Sequence, residues 1–256
     1  MIDQALGLRA LATYNKPLTQ ITTPSHAPRI AVTGGKGGVG TTLFTSNLAL
    51  CGAKAGRRVV FVEADSRFSP FRLAHHMGAS PLREASTVDS LFPTLFGVQV
   101  LSWDEWGKAI HTVPTSLWSD PEQAADLVIL DMGSASFENT LLRMETLSHC
   151  VIVTTPDIYA LTESYKKIKC LRLQNPKVAI SVIFNAVSGG QEVTRSAEQL
   201  ENMVQTFLHT TLYYLGTLPH DRLLTDANPI QSFVLQERPR SPIAKSIRNI
   251  YQILAQ

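Results

Sequence analysis

The segment Gly35-Lys36-Gly37-Gly38-Val39-Gly40-Thr41-Thr42 constrains this chain more than any other. It follows the short apolar run Arg29-Ile30-Ala31-Val32-Thr33 and opens a helix-like stretch from Thr42 to Lys54. Strand, glycine loop and helix in that order make an anion cradle. Glycines let successive backbone N–H groups converge, and the helix N-terminus adds its positive dipole end. The general phosphate loop reads G-x-x-x-x-G-K-[ST]. Gly35, Gly40 and Thr42 fit that frame, with Thr42 placing a hydroxyl where Mg²⁺ would be ligated. Thr41 stands where the lysine is expected, and Lys36 is an extra lysine early in the loop. All eight residues are therefore candidates for binding ATP or ADP.

The pattern around the loop is that of an α/β protein. Arg58–Val62, Asp126–Asp131, Cys150–Thr154, Val178–Phe184 and Tyr213–Gly216 are further short apolar runs. Helical stretches at Ala160–Leu173 and Glu192–Leu208 separate the later ones, and Gly56 closes the first helix. Continuous apolar strands alternating with helices predict a parallel sheet covered on both faces. A last helix is expected over Ile243–Leu254, with Ser241 as N-cap, Pro242 in the first turn and Ile243, Ile247, Ile250 and Leu254 on one stripe. Residues 79–120, with Pro81, Pro93, Pro114 and all three tryptophans, show no pattern that assigns local structure. Residues 2–12 suggest a short helix interrupted by Gly7, followed by a linker with Pro17, Pro24 and Pro28. The expected division is 1–28 as motif and linker and 29–256 as one domain, because 256 residues are a tight fit for two.

Composition narrows the class. A net charge of +2 from 23 basic and 21 acidic residues gives no nucleic-acid signal. Cys51, Cys150 and Cys170 form no CxxC pair, so neither zinc nor a disulfide framework is suggested, and Cys51 and Cys150 sit in apolar runs as core residues. No secretory signal and no apolar stretch of the ~18 residues a membrane span requires is visible, which makes a cytoplasmic protein the expectation. The seven histidines, including the His75-His76 pair, show no ligand spacing and are expected on the solvated surface.

With its early Lys36, the loop resembles that of the MinD/ParA family of P-loop ATPases, a SIMIBI-type α/β fold. Further blocks in the same order carry the resemblance. Glu63-Ala64-Asp65 resembles D-x-D after the second strand; Leu130-Asp131-Met132-Gly133 resembles the Walker B strand end. Thr154-Thr155-Pro156-Asp157 with Ala160–Tyr165 resembles T-T-P-E…A-x-T-D-A-Y. Asn185 and the Leu218-Pro219-His220-Asp221 turn resemble the segments that flank adenine. The resemblance implies that Lys36 crosses to the partner's nucleotide in an ATP-sandwiched homodimer. It places Asp65 near the attacking water, Asp131 and Thr42 on Mg²⁺, and Asn185 and Pro219 at the base. Taken singly, Asp65 and Asp131 also suit turns after strands, and Asn185 is a common turn former. Thr41 removes a phosphate-directed cation, whose charge-assisted hydrogen bonds are worth ~1.5–3 kcal/mol each. Because charge develops in the transition state, hydrolysis should suffer more than binding. A slow ATPase switch and an ATP-binding scaffold both remain open.

The branch is suggested by the N-terminus. Asp3-Gln4-Ala5-Leu6-Gly7-Leu8-Arg9 resembles D-Q-A-x-x-L-R, the activator motif of the FlhG/FleN regulators of flagellar number and placement. The resemblance implies that Asp3, Gln4, Ala5, Leu8 and Arg9 engage an FlhF-type GTPase, with recruitment to the cell pole or inner membrane face. The Gly-Gly-Val-Gly-Thr-Thr loop is also similar to pilus-localisation TadZ/CpaE proteins and cellulose-synthesis BcsQ-like proteins. No separate amphipathic targeting tail follows the last helix, so membrane attachment by such a tail is not expected.

Overall fold

The computed structural model describes residues 27–63, 92–93, 97–102, 125–134, 147–222, 224 and 233–255. Asp3, Gln4, Ala5, Leu8 and Arg9, the linker up to residue 26, Asp65, the His75-His76 pair and the three tryptophans lie outside them.

Among the described residues eight strands form one sheet. They are β1 (Arg29–Gly34), β2 (Val59–Glu63), β3 (Phe92–Pro93), β4 (Val98–Ser102), β5 (Leu127–Asp131), β6 (His149–Thr154), β7 (Ala179–Val187) and β8 (Tyr213–Pro219). Their order is β3-β4-β2-β5-β1-β6-β7-β8, parallel throughout except for the two-residue β3 at the edge. The helices are α1 (Thr41–Lys54), α2 (Ile158–Gln174), α3 (Gly190–Leu208), α4 (Val234–Glu237) and α5 (Pro242–Leu254).

The central strands feed two cores. Along β1, Ile30 and Val32 join α1, α4 and α5 on one face, whereas Ala31 joins α2 and α3 on the other. Strands buried on both faces need apolar residues at every position, which is why these runs do not alternate. Cys51 and Cys150 are buried, one in each core. Burial pushes their thiols up to about 11 and about 12.

Helix ends follow local chemistry. At the end of α1, the Gly56 N–H turns back to Ala53 O at 2.9 Å, with Gly56 at φ 80°. Ser241 caps α5, its Oγ accepting from the Ala244 N–H at 3.3 Å, and Pro242 occupies the first turn. Ile243, Ile247, Ile250 and Leu254 are all buried, at about 1.5–3 kcal/mol per such side chain.

One expectation needs correction, and one unassigned segment gains a strand. The segment 79–120 contains a five-residue parallel strand, β4, paired with β2 in register from Val59↔Val98. The histidines are not all solvated: His149 opens β6 and is 1% exposed. Its Nε2 lies 2.7 Å from Ser181 Oγ, and burial lowers its ionisation to about 4. β6 runs between β1 and β7, and both of its faces are covered, so a residue there has no route to water.

Candidate functional site

The chain leaves β1 through α1 towards β2, while β6 lies on β1's other side, so the strand order reverses at β1. In open α/β sheets such a switch point leaves a crevice at the strands' C-terminal ends, where ligands bind. The C-terminal ends of β1, β2, β5, β6, β7 and β8 bring Gly34, Glu63, Asp131, Thr154, Asn185 and Pro219 to this edge.

The loop between β1 and α1 is folded tightly across the crevice. A Cβ on Gly34 would overlap Thr41 Oγ1 and come within 2.6 Å of Val39 Cγ2. One on Gly35 would overlap Ser164 Oγ and sit 2.8 Å from Ala160 O. Gly40, the residue before α1, adopts φ 87° and lies against the Asn185 amide. Having no side chain, it caps nothing, which leaves the first-turn N–H groups of α1 without a side-chain partner from the cap, the arrangement that suits an anion. A phosphate chain fits a cradle of this kind.

Lys36 does not point into the cradle. Its Nζ is 2.9 Å from Asp157 Oδ2 and 5.8 Å from the centroid of Tyr159. Asp157 also caps α2, accepting from the Ala160 N–H at 2.9 Å, and accepts from Thr155 Oγ1 at 2.5 Å. Burial opposes the charged form, but the hydrogen bonds from Thr155, Ala160 and Lys36 outweigh it and hold the carboxyl at about 2. The ion pair is open to water, with side chains 33% and 45% exposed. Such a pair contributes about 0–1 kcal/mol and is easily exchanged for another anion. Thr41 is 6% exposed, its hydroxyl turned against Gly34.

Asp131 is buried, its Oδ1 accepting from the Gly133 N–H at 3.1 Å. Glu63 is opposite it in the β2–β5 register, and Thr42 is the second residue of α1. Hydroxyl and carboxylate oxygens are hard donors suited to Mg²⁺, which takes one or two carboxylates and completes its shell with phosphate oxygens and water. Among the described residues no three His, Cys, Asp or Glu side chains would hold a metal by themselves.

Asn185 is placed at the crevice but with a different first task. Its Nδ2 donates to Val39 O at 2.7 Å and its Oδ1 accepts from the Ala186 N–H at 2.7 Å. It braces the phosphate loop from behind Gly40. Pro219 ends β8 beside Val187, near Asn185, and Asp221 is held by both nitrogen–oxygen contacts of Arg238 Nη1, at 3.0 and 2.8 Å. Sequence reasoning missed Gly34, Ser164 and the buried Thr33, whose Oγ1 donates to Gly133 O at 3.2 Å. Gly34 directly precedes the glycine-rich frame and Ser164 lies within the Ala160–Tyr165 block, so both could have been suspected; Thr33 carries no local signal.

Comparison with known proteins agrees with this architecture. The antiactivator FleN of Pseudomonas aeruginosa is 26% identical over 87% of this chain and 84% of its own length. The flagellum site-determining protein YlxH of Helicobacter pylori is 25% identical over 99% of this chain and 90% of its own. The septum site-determining protein MinD of Pyrococcus horikoshii, solved with Mg-ADP, superposes with a TM-score of 0.68 at 20% identity, over 89% of this chain and 96% of its own. At that identity the superposition shows the fold alone. The ParA family model, described as NUBPL iron-transfer P-loop NTPase, matches residues 26–255. The chain therefore belongs to the ParA family of P-loop NTPases, with a MinD-like fold.

Proposed function

We propose that this protein is a nucleotide-binding regulator of flagellar number or placement, of the FlhG/FleN kind, with weak or absent hydrolysis. The observation that carries the reading is the cradle between β1 and α1, with Lys36 at its mouth and Thr41 in place of the usual lysine. FleN and YlxH, both similar along most of the chain, point to the flagellar setting.

In this reading the N–H groups of the loop and of α1 hold the phosphates of ATP or ADP. Thr42 and Asp131 hold Mg²⁺, which would neutralise phosphate charge there. Asp65 orients the attacking water. Asn185 and Pro219 flank the base; one Asn185 amide proton is engaged on Val39 O, which leaves the second for adenine. Lys36 exchanges Asp157 for the partner's phosphates, so that ATP favours a two-fold dimer. The segment Asp3–Arg9, on its proline-containing linker, docks on an FlhF-type GTPase; Leu6, Leu8 and Leu11 are its apolar anchors. A tethered motif of this kind works even where the body hydrolyses nothing, which reconciles the intact motif with Thr41.

An iron-transfer role is not part of this reading. Cys51 and Cys150 are buried on opposite faces of the sheet with their thiols held protonated, whereas cluster ligands are thiolates.

The test adds a peptide of residues 1–20 to the cognate FlhF-type GTPase. Stimulated GTP hydrolysis, lost on Gln4→Ala, supports the reading. No stimulation by peptide or full-length protein, with normal flagellation in a deletion strain, favours the pilus-localisation or cellulose-synthesis setting instead.

A further inference from the structure

The first turn of α2 presents apolar side chains to water. Ala160 and Leu161 take the two positions that face inward, 0% and 1% exposed. Ile158 and Tyr159 are thereby left outside, 63% and 62% exposed. Further along, Thr162, Lys166 and Lys169 hold exposed positions, as a solvated helix face requires. Four large hydrophobic residues are exposed among the described residues, and these two are neighbours; Leu173 and Phe207 stand near the far ends of α2 and α3. Single exposed apolar side chains are ordinary, whereas a contiguous pair marks a contact surface. The pair also adjoins Lys36, whose Nζ is 2.9 Å from Asp157 Oδ2 and 5.8 Å from the centre of the Tyr159 ring. The exposed surface here therefore combines one cation, one carboxylate and two apolar side chains. A patch with one charge of each sign is self-complementary: two copies related by a two-fold axis bring cation to carboxylate, whereas a partner of single sign meets one repelling charge.

We infer that Ile158 and Tyr159 are the apolar part of a face that meets a second copy of this chain. The inference deepens the nucleotide-dependent dimer of the proposed function and rests on it. Exposed ion pairs add little net affinity, so a dimer held near Lys36 needs apolar burial as well, and this pair supplies it. Tyrosine is a favoured anchor in such contacts. In a two-fold contact each side chain is used twice, once from each copy. Tyr159 has a second contact with the opposite consequence: as a seat for the Lys36 ammonium it favours the resting monomer. At 5.8 Å, close to the ~6 Å limit of such attraction, that contact is weak, and burial of the ring outweighs it.

The experiment follows dimerisation of the full chain against protein concentration by light scattering, with saturating Mg-ATP, for wild type, Ile158→Thr, Tyr159→Ser and Tyr159→Phe. The threonine and serine variants should each dimerise roughly tenfold more weakly or worse, since each loss counts on both sides of the axis. Tyr159→Phe keeps the ring and should dimerise as wild type does. Exposed positions of this kind tolerate substitution, and an unchanged melting temperature checks that the fold is intact. Threonine and serine variants that dimerise at wild-type strength overturn the inference and leave the nucleotide-dependent dimer standing. Tighter dimerisation of Tyr159→Ser also overturns it, because the ring would then be a seat for Lys36 and no contact for a second copy. A wild type that binds Mg-ATP in calorimetry yet stays monomeric at every concentration refutes the dimer reading and this inference with it.

Discussion

His149 should make the fold sensitive to mild acid. Its imidazole is sealed between α1's face of the sheet and its neighbouring strands, bonded to Ser181 Oγ. Burial favours the neutral ring, so ionisation falls from 6.5 to about 4 in the folded protein. The unfolded chain therefore binds this proton more readily than the native one. Stability from this residue is complete above pH 6.5, declines as pH falls, and levels off below about 4. The whole decline amounts to about 3 kcal/mol, a large part of an ordinary domain's ~5–15. Asp157 acts in a separate window: its carboxyl is depressed from 3.8 to about 2, so its contribution is lost only below 3.8. Urea unfolding measured at several pH values between 6.5 and 4 tests this. The wild type should lose stability steadily, whereas His149→Gln, less stable at neutral pH through imperfect packing, should be nearly flat. A variant whose pH slope matches wild type would refute the assignment.

Gly40→Ala should abolish nucleotide binding in calorimetry, because a side chain at φ 87° must also displace the Asn185 amide; the backbone strain alone costs about 1–3 kcal/mol, visible as a lower melting temperature. Normal binding by this variant would mean that the loop is not the cradle. Lys36→Ala should leave stability within about 1 kcal/mol and bind nucleotide nearly normally, yet show no ATP-dependent dimer in light scattering. Thr41→Lys should tighten ATP and speed turnover by roughly ten- to a hundredfold, the worth of a regained charge-assisted bond. A turnover assay showing no change would refute the account of Thr41.

The fold was legible where a strand or helix declares itself locally. β1, β2, β5 and β6 are unbroken apolar runs, and α5 carries its cap, its proline and its stripe within fourteen residues, Ser241 to Leu254. β4 was not legible because its five residues are specified by pairing with other strands rather than by themselves. Val98-Gln99-Val100 alternates too briefly to outweigh neighbouring prolines and tryptophans, and its partner β2 is remote in sequence. His149 shows the same limit from the other side: nothing in His-Cys-Val-Ile-Val tells whether the first residue lies inside or outside the sheet.

At the site, residue types were legible and their pairings were not. Lys36 meets Asp157 across 121 positions, Lys167 meets Thr33 across 134, and Asn185 meets Val39 across 146. Each contact joins two elements whose adjacency is created by the strand order, so no window of sequence contains both halves. Asn185 makes the consequence concrete. As a residue type after a strand it signals a turn, and by resemblance it signals a base contact. Only the sheet order, with β7 one strand beyond β6, brings its amide to the back of the loop. There it restrains Val39 O and so fixes the direction of one carbonyl of the loop. A side chain near the end of β7 therefore restrains the backbone of the β1–α1 loop, through a contact that neither motif contains.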